Sequence, residues 1–165
     1  MRPGEHPDFY RLAPPPGTSR ESTIELDREG RFWHDGERVA HPPLERALRS
    51  WIARHPEDGR PILTNGWDWC YFRVEDAAFV VDALRVEADG GVTLRLFDDT
   101  EEPLDPDTLS IGAEGAVYAR VKAGRFEARF SRHAQTQLAD VLVADDPPAV
   151  RVRDREVVLP SRAGL

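Results

Sequence analysis

Apolar and polar residues alternate along much of the chain, which predicts short β-strands joined by tight turns. Ile24 and Leu26, for example, alternate with acidic neighbours, a pattern typical of a strand with one buried face. Further alternating segments surround four glycine turns, at Asp35-Gly36, Asn65-Gly66, Asp89-Gly90-Gly91 and Ala123-Gly124. Because such turns between alternating segments are strong hairpin signals, the pattern predicts four β-hairpins. Two more short strands, 149–153 and 156–159, are predicted after the last hairpin.

Two segments instead place apolar residues at the spacing of an amphipathic helix. In the first, Pro42 and Pro43 suit the opening turn, and His55-Pro56 ends the helix. Its apolar stripe consists of Leu44, Ala47, Leu48, Trp51 and Ile52. In the second, Ser131 supplies a hydroxyl that can cap the first turn. The apolar stripe of this second helix consists of Ala134, Leu138, Val141 and Leu142.

The order of these elements predicts an α+β fold of two related α/β units, each a curved, mostly antiparallel sheet with one helix. A faint internal repeat motivates this prediction. Gly30-Arg31-Phe32 and Gly124-Arg125-Phe126 each precede the same series of hairpin, helix and strands. A single unit of this kind would leave an apolar face exposed, so the two units are expected to share a core.

Proline and charge patterns define the boundaries that we predict for these units. The predicted segments are a Pro-rich N-terminal tail (1–20), the first unit (21–98), an acidic loop or linker (99–112) and the second unit (113–165). The linker is strongly acidic and is broken by Pro103 and Pro106, a composition typical of a surface loop.

Composition narrows the range of functions. The formal net charge of −8 argues against nucleic-acid binding, since a protein that neutralises phosphates needs a basic surface. The single cysteine, Cys70, rules out an intrachain disulfide and fits a reducing compartment. The first residues lack the apolar core of a signal peptide, and no apolar run approaches the roughly 20 residues of a membrane helix. We therefore expect a cytoplasmic protein that binds neither nucleic acid nor membrane.

A series of residues spread along the chain carries a family resemblance. In the first half it consists of Asp27, Gly30, Phe32, Trp33, Gly36, the helix from Pro42 to Leu48, Val74-Glu75-Asp76 and Phe79. In the second half it is the strand, turn, strand and Ser-Arg-led helix between Tyr118 and Leu142. In this order, the series resembles the bacterial family catalogued as domain of unknown function 1285 (DUF1285). Ala78 stands where that family usually has proline, and the second helix is less aromatic, which indicates a divergent member.

The resemblance covers most of the chain, from about Ile24 to Pro160. It implies a fold of two repeated α/β motifs with bent sheets. For the family, the fold has suggested a role in signalling linked to a ligand or a partner, and no activity is established. The resemblance implies the same role for this chain. Because one fold can host many functions, the candidate site has to be argued from the residues themselves.

Three groups are candidates for catalysis, and each has a simpler structural role. Cys70 shares a strand face with apolar residues, which is typical of a buried structural thiol. His34 and Asp35 are adjacent in a strand, so their side chains are expected to point to opposite faces. Ser131 near His133 lacks the glycines of a nucleophile elbow and is explained by its capping role.

Neither a metal nor an organic cofactor is predicted. The histidines show no paired spacing on a helix face: His6, His34, His41, His55 and His133. The acidic run Asp98–Glu102 lacks the alternating pattern and the glycine of a calcium loop. The glycines occur at separate turns and not in a phosphate-binding loop.

The aromatic residues indicate one candidate ligand-binding surface. All four tryptophans lie in the first predicted unit: Trp33, Trp51, Trp67 and Trp69. Trp67, Trp69 and Tyr71 alternate, so they are expected on one face of a strand. The predicted site consists of Trp33, His34, Trp67, Trp69 and Tyr71. The alternative is that the second unit packs on this face and makes it part of the core.

These observations favour a non-enzymatic binding or signalling module that recognises a small molecule or a protein partner. One alternative is an enzyme whose site, around His34 or His133, forms only in the folded chain. The other alternative is a homo-oligomeric adaptor, such as a homodimer, that associates through exposed strand edges.

Overall fold

A computed structural model describes residues 1–163, which form two compact units, one spanning Met1–Ala78 and one beginning at Phe79. Each unit contains one α-helix and two curved sheets, so the predicted α+β class is confirmed. No helix among these residues is long and apolar enough to cross a membrane.

The first unit contains two separate sheets. Its strands are β1 (Glu25–Leu26), β2 (Phe32–His34), β3 (Glu37–Arg38), β4 (Ile52–Arg54), β5 (Pro61–Thr64), β6 (Trp69–Tyr71) and β7 (Arg73–Val74). A four-stranded sheet has the order β3-β2-β1-β7, and a three-stranded sheet has the order β4-β5-β6. β1 pairs antiparallel with β2 and parallel with β7. The chain therefore passes from one sheet to the other at Phe72, between β6 and β7.

The two turns predicted in this unit differ in length. Asp35 and Gly36 join β2 to β3 as predicted, with φ angles of 51° and 77° that fit a tight hairpin turn. Asn65-Gly66 begins a longer turn, because β6 starts only at Trp69. In this turn Asn65 Oδ1 accepts hydrogen bonds from the backbone N–H groups of Trp67 and Asp68, at 2.8 and 2.9 Å.

The first helix, α1 (Pro42–Ser50), begins where the prolines predict. His41 caps it, since its Nδ1 accepts a hydrogen bond of 3.3 Å from Leu44 N. The predicted continuation towards His55 is wrong, because residues Ile52–Arg54 form β4 instead. Ile52 pairs with Leu63 in the sheet, so tertiary pairing replaces the last helical turn.

The N-terminal residues predicted as a tail pack against the first unit. They contain two short 3-10 helices, Pro3–Glu5 and Phe9–Arg11. Phe9 is buried and packs with Ile62 and Trp69 of the three-stranded sheet. Proline density indicated the absence of regular structure here, but a single buried aromatic residue provides the packing that holds the segment in place.

The second unit also contains two sheets. Its strands are β8 (Phe79–Val86), β9 (Val92–Leu96), β10 (Glu101–Pro103), β11 (Ser110–Ile111), β12 (Val117–Val121), β13 (Phe126–Phe130), β14 (Leu142–Asp145), β15 (Pro148–Val152) and β16 (Arg155–Val158). A six-stranded sheet has the order β10-β9-β8-β13-β12-β11, and a three-stranded sheet has the order β14-β15-β16. β8 and β13 are parallel, and the other neighbours in these two sheets are antiparallel.

The segment predicted as an acidic linker lies at the edges of the six-stranded sheet. It contains β10, a 3-10 helix at Pro106–Thr108 and β11. The sheet curves so that both oxygens of Glu102, on β10, accept from Lys122 N just after β12, at 3.1 and 3.2 Å. The acidic composition therefore reflects ion pairing along an edge: Asp107, for example, lies 2.5 Å from Arg155.

The hairpin of β8 and β9, which is the first hairpin of the second unit, was predicted to belong to the first unit. β8 hydrogen-bonds to β13, with Phe79 opposite Ala128, so β8 and its neighbour β9 form part of the six-stranded sheet. The compact units consequently divide after Ala78 and not after residue 98. Apolar alternation identifies a strand but does not identify a parallel partner that is distant in the sequence.

The second helix, α2 (Arg132–Leu138), has the predicted cap, with Ser131 Oγ accepting from Ala134 N at 3.0 Å. Its predicted extension is wrong, because a 3-10 turn follows and β14 begins at Leu142. Gln137 holds the helix against β8, since its Oε1 accepts a hydrogen bond of 2.7 Å from Leu84 N. In both units a helix is followed by a three-stranded antiparallel sheet. That this shared order comes from an internal sequence repeat stays a prediction.

Candidate functional site

An aromatic cluster on the three-stranded sheet of the first unit contains two of the predicted site residues. Trp69 and Tyr71, both on β6, have ring centroids 5.1 Å apart in an edge-to-face arrangement. The ring of His55 lies 5.1 Å from Trp69 and 5.7 Å from Tyr71. Tyr10, from the N-terminal segment, completes the cluster at 5.8 Å from Trp69. These separations are those of favourable aromatic pairs, so the cluster is a packed part of the core.

His55 is fixed inside this cluster in one hydrogen-bonding arrangement. Its side chain is buried, with only 6% of its surface exposed. Nδ1 accepts from the backbone N–H groups of Glu57 and Asp58 at 3.1 and 3.4 Å. Nε2 faces the carbonyl oxygen of Tyr10 at 3.3 Å. His55 thus joins the N-terminal segment to the loop after β4.

Trp69 is a core residue rather than an accessible binding surface. It is 6% exposed and is covered by residues of the N-terminal segment. The guanidinium of Arg20 lies 4.5 Å from its ring centroid, in a cation–π contact. A covered face was the alternative that the sequence left open, with the second unit as the predicted cover. In the structure, Phe9 and Tyr10 of the same unit provide it.

Beside this cluster the first unit contains a cavity of about 650 Å³. Its walls come from the chain before and within β1, from the start of β5 and from the junction of β6 and β7. The lining residues are Glu21, Ser22, Thr23, Ile24, Glu25, Arg60, Pro61, Tyr71, Phe72, Arg73 and Val74. Of the five predicted site residues, only Tyr71 lines this cavity.

The cavity exists because the chain near residue 22 follows β6 without completing a ladder. Tyr71 N donates to Arg20 O at 2.7 Å, and Arg73 N donates to Ile24 O at 3.0 Å. Between these two bonds the carbonyl oxygen of Tyr71 accepts from Ser22 Oγ, at 2.5 Å. A side chain thus replaces one backbone donor where the chain changes sheets.

The guanidinium of Arg60 lines the cavity and makes two kinds of contact there. It binds both carboxylate oxygens of Glu21, with Nη1–Oε1 and Nη2–Oε2 distances of 2.8 and 3.0 Å. The same guanidinium lies 3.7 Å from the ring centroid of Tyr71. The phenol of Tyr71 is itself fixed, because its hydroxyl donates to Asp58 Oδ2 at 2.6 Å. The fork of Arg60 is therefore held in a defined plane on a ring that is anchored on its far side.

These contacts shift the pKa values of the groups involved. The hydrogen bond from Arg60 lowers the pKa of Glu21, although partial desolvation opposes the shift. The hydrogen bond from Tyr71 lowers the pKa of Asp58, and the same bond raises the pKa of the Tyr71 phenol. Around neutral pH the cavity therefore contains the ionised carboxylate of Glu21 and the neutral phenol of Tyr71.

A second ion pair borders the same cavity. Arg73 Nη2 donates to Glu25 Oε2 at 2.7 Å, which raises the pKa of Arg73. The side chain of Arg73 is 76% exposed and that of Glu25 is 34% exposed. The lining of the cavity thus combines two guanidinium groups and two carboxylates with apolar residues such as Ile24 and Val74.

The other predicted site residues do not line this cavity. Trp33 and His34 are on β2, in the four-stranded sheet, where Trp33 Nε1 donates to Asp27 Oδ2 at 2.9 Å. Trp67 precedes β6 in the turn and is 64% exposed. The alternation rule placed Trp67 on the face of Trp69, but the strand begins only at Trp69. The five residues therefore occupy three different environments.

His34 and Asp35 approach each other, contrary to the sequence-based expectation. His34 Nε2 lies 3.5 Å from Asp35 Oδ2. The positive φ of Asp35 places it in the turn, where side chains no longer alternate as they do in a strand. Both side chains are exposed, and neither lines the cavity. His133 is likewise exposed, on α2.

Cys70 is partly buried, and not fully buried as its position among apolar residues predicted. Burial raises the pKa of the Cys70 thiol, and a hydrogen bond with Ser22 opposes the shift only partly. Among residues 1–163 no group of three or more His, Cys, Asp or Glu side chains is arranged to hold a metal ion.

The edge strands β14 and β16 carry exposed apolar side chains, including Val143 and Val158.

Sequence reasoning missed the polar residues of the cavity. Arg60, Glu21 and Arg73 are ordinary charged residues in the sequence, and no motif links them. They converge because β5, β6 and the segment before β1 lie side by side. The only local signal was the spacing of Tyr71 and Arg73, two positions apart on either side of the change of sheet at Phe72.

Comparisons of the sequence with models of protein families and with curated proteins found no match. The structure, in contrast, is similar to two crystal structures. A DUF1285 family protein from Silicibacter pomeroyi DSS-3 has a TM-score of 0.69 and 20% identity, and the match covers 92% of each chain. A DUF1285 family protein from Shewanella baltica OS155 has a TM-score of 0.58 and 14% identity. The second match covers 74% of this chain and 94% of that one.

The first of these matches includes nearly the whole of both chains, so the similarity concerns the complete fold and not one sheet. At this low level of identity the likeness is evidence about the fold alone, and both structures are identified only by the family. The resemblance noted in the sequence is thereby confirmed as a likeness of fold. The chain is DUF1285-like in its fold.

Proposed function

We propose that this protein is a non-enzymatic binding module and that the cavity of the first unit is its ligand site. The observation that carries the proposal is the cavity itself, about 650 Å³ in volume and lined by both apolar and charged side chains. Sites for small molecules usually have volumes of about 300–1,000 Å³ and combine an apolar surface with a few converging polar groups. The cavity has both properties.

The surroundings of the cavity favour binding over catalysis. The hydroxyl of Ser22 donates to the carbonyl oxygen of Tyr71, and none of the lining residues is a histidine. A nucleophilic serine needs a general base within hydrogen-bond reach. The charged groups are instead arranged in ion pairs that can orient a ligand.

The proposal is tested by amide NMR spectra of the full-length protein, titrated with small carboxylic acids, amines and neutral aromatic compounds. We expect at least one compound to shift the signals of residues 21–25 and 71–74, which line the cavity. Shifts confined to residues of the second unit would show that the ligand site lies there and not at this cavity. The absence of shifts with every compound would rule out a small-molecule site at this cavity.

A further inference from the structure

We propose that the ligand of this cavity presents a carboxylate to Arg60, and that Glu21 occupies the position of that carboxylate in the free protein. This inference rests on the proposed function, because it specifies the ligand of the same cavity. In the free protein, the side chain of Glu21 thus fills the carboxylate site on Arg60.

The fork of Arg60 has the geometry of a carboxylate site. Two nearly equal bonds, 2.8 and 3.0 Å long, join its terminal nitrogens to the two oxygens of Glu21. Such paired bonds are the characteristic way in which arginine recognises a carboxylate. A ligand carboxylate could form the same two bonds without any change in the position of Arg60.

The orientation of Arg60 does not depend on Glu21. The guanidinium lies 3.7 Å from the centroid of the Tyr71 ring, and Tyr71 donates its own hydrogen bond of 2.6 Å to Asp58. The ring of His55 stacks against Tyr71 at 5.7 Å with an interplanar angle of 25°. Because the ring is held by Asp58 and His55, the guanidinium retains a platform when its carboxylate partner changes.

Glu21, in contrast, is easily displaced. It lies outside the strands, and its side chain is 62% exposed. An ion pair with such exposure contributes little to stability, since water solvates the separated partners well. The carboxylate can therefore move into solvent when a ligand replaces it.

The same asymmetry favours a carboxylate over an amine as the ligand group. An amine would have to pair with Glu21 and separate it from Arg60. The guanidinium on the Tyr71 ring would then have lost its carboxylate partner. A carboxylate replaces Glu21, and Arg60 stays paired. The remainder of the ligand would lie against apolar lining residues such as Ile24 and Val74.

The test uses benzoate as the probe, with benzamide as its uncharged analogue and benzylamine as its cationic one. Affinities are measured from the amide shifts of residues 21–25 and 71–74 in the full-length protein. We expect benzamide and benzylamine to bind about tenfold more weakly than benzoate, because a charged hydrogen-bond acceptor is lost. Arg60→Gln should weaken benzoate binding by a similar factor.

Glu21→Gln gives the most specific result, because it removes the internal competitor. We expect this variant to bind benzoate about two- to fivefold more tightly than the natural chain. Glu37→Gln and Arg38→Gln, on β3, serve as controls of matched charge and should leave the affinity unchanged, since neither residue lines the cavity. Dispersed amide spectra would show that each variant is folded.

Two results would overturn the inference. If benzamide or benzylamine binds at the cavity as tightly as benzoate, the ligand class is wrong while the proposed function stands. If Glu21→Gln leaves the benzoate affinity unchanged or lowers it, Glu21 does not occupy the carboxylate position. If none of the three probes, nor any compound of the wider panel, shifts the cavity residues, the proposed function fails as well.

Discussion

The indole of Trp33 donates a hydrogen bond of 2.9 Å to the carboxylate of Asp27, across the turn between β1 and β2. The same carboxylate accepts bonds of 2.9 Å from the backbone N and from Nε of Arg31, and one of 3.0 Å from Glu29 N. Its side chain is only 12% exposed. Trp33, predicted as part of a ligand site, thus stabilises the turn through Asp27.

Removing this carboxylate should destabilise the first unit. Asp27→Ala leaves the indole N–H and two backbone N–H groups without their acceptor, at a cost of about 1–3 kcal/mol of unfolding free energy. Urea denaturation followed by tryptophan fluorescence measures the change. Glu37→Gln, an exposed acidic residue of the same sheet, is the control and should change stability by less than about 0.5 kcal/mol. Equal stability of both variants would contradict the proposed role of Asp27.

The stability supplied by Asp27 should also depend on pH. Burial alone would raise the pKa of Asp27, but the hydrogen bonds from Trp33 and Arg31 outweigh burial and lower it. A carboxylate with a lowered pKa in the folded state stabilises the protein above its unfolded pKa of 3.8 and loses this effect as the pH falls through the folded value.

We therefore expect the stability difference between the natural chain and Asp27→Ala to be constant from about pH 5 to 7 and to shrink as the pH falls below about 4. Urea denaturation of both proteins at pH 6 and near pH 3 measures this difference. A gap that stays the same at both values would show that ionisation of Asp27 plays no part.

The two tryptophans near β6 should respond differently to substitution. Trp69 is 6% exposed and Trp67 is 64% exposed. Trp69→Ala should cost about 3–5 kcal/mol through the lost burial and the cavity it leaves, and should weaken or abolish cooperative melting. Trp67→Ala should stay within about 0.5 kcal/mol of the natural chain. Calorimetry measures the melting transition of each variant. A cooperative transition at an unchanged temperature in Trp69→Ala would show that Trp69 is not a core residue.

The sequence predicted local elements better than it predicted their partners. Ser131 caps a helix and Asp35-Gly36 forms a hairpin turn as predicted, because both signals depend on neighbouring residues. Ile52 and Leu142 were assigned to helices, yet each begins a strand. Their apolar character suits either element, and only sheet partners that are distant in the sequence decide between them.

The candidate site was predictable only in part for the same reason. Tyr71 was identified from its place in an alternating aromatic strand. Arg60 and Glu21 were not, because they become neighbours only when the segment before β1 lies beside the start of β5. Their bidentate contact joins positions that no local periodicity relates. Aromatic density therefore located a strand that borders the cavity, while the convergence of the charged residues could be seen only in the fold.

Cys70 should react slowly with alkylating reagents. Burial raises the pKa of its thiol and so reduces the thiolate fraction at pH 8, and the thiolate is the reactive form. We expect iodoacetamide to modify the folded protein more slowly than the same chain in 6 M guanidinium, by about tenfold or more. Mass spectrometry at timed intervals measures both rates. Equal rates would mean that the thiol is neither desolvated nor protected in the folded chain.

Lys122, the single lysine of the chain, should stabilise the second unit through Asp98. Lys122 Nζ lies 2.7 Å from Asp98 Oδ2 and 2.9 Å from Thr100 Oγ1, and the Asp98 side chain is only 7% exposed. Lys122→Met would leave a buried carboxylate without its counter-charge, at a cost of about 3–5 kcal/mol. Urea denaturation measures this loss.

A matched control for this pair is present on the same sheet. Arg95 and Asp99 form an exposed ion pair of 3.3 Å, with side chains 59% and 61% exposed. Arg95→Met should cost no more than about 1 kcal/mol, because water solvates both partners when they separate. Adding Asp98→Asn to Lys122→Met should recover part of the lost stability by removing the unpaired charge. The prediction would be contradicted if Lys122→Met is as stable as Arg95→Met and the double variant regains no stability. Burial of Asp98 would then not make the Lys122–Asp98 pair stronger than the Arg95–Asp99 pair.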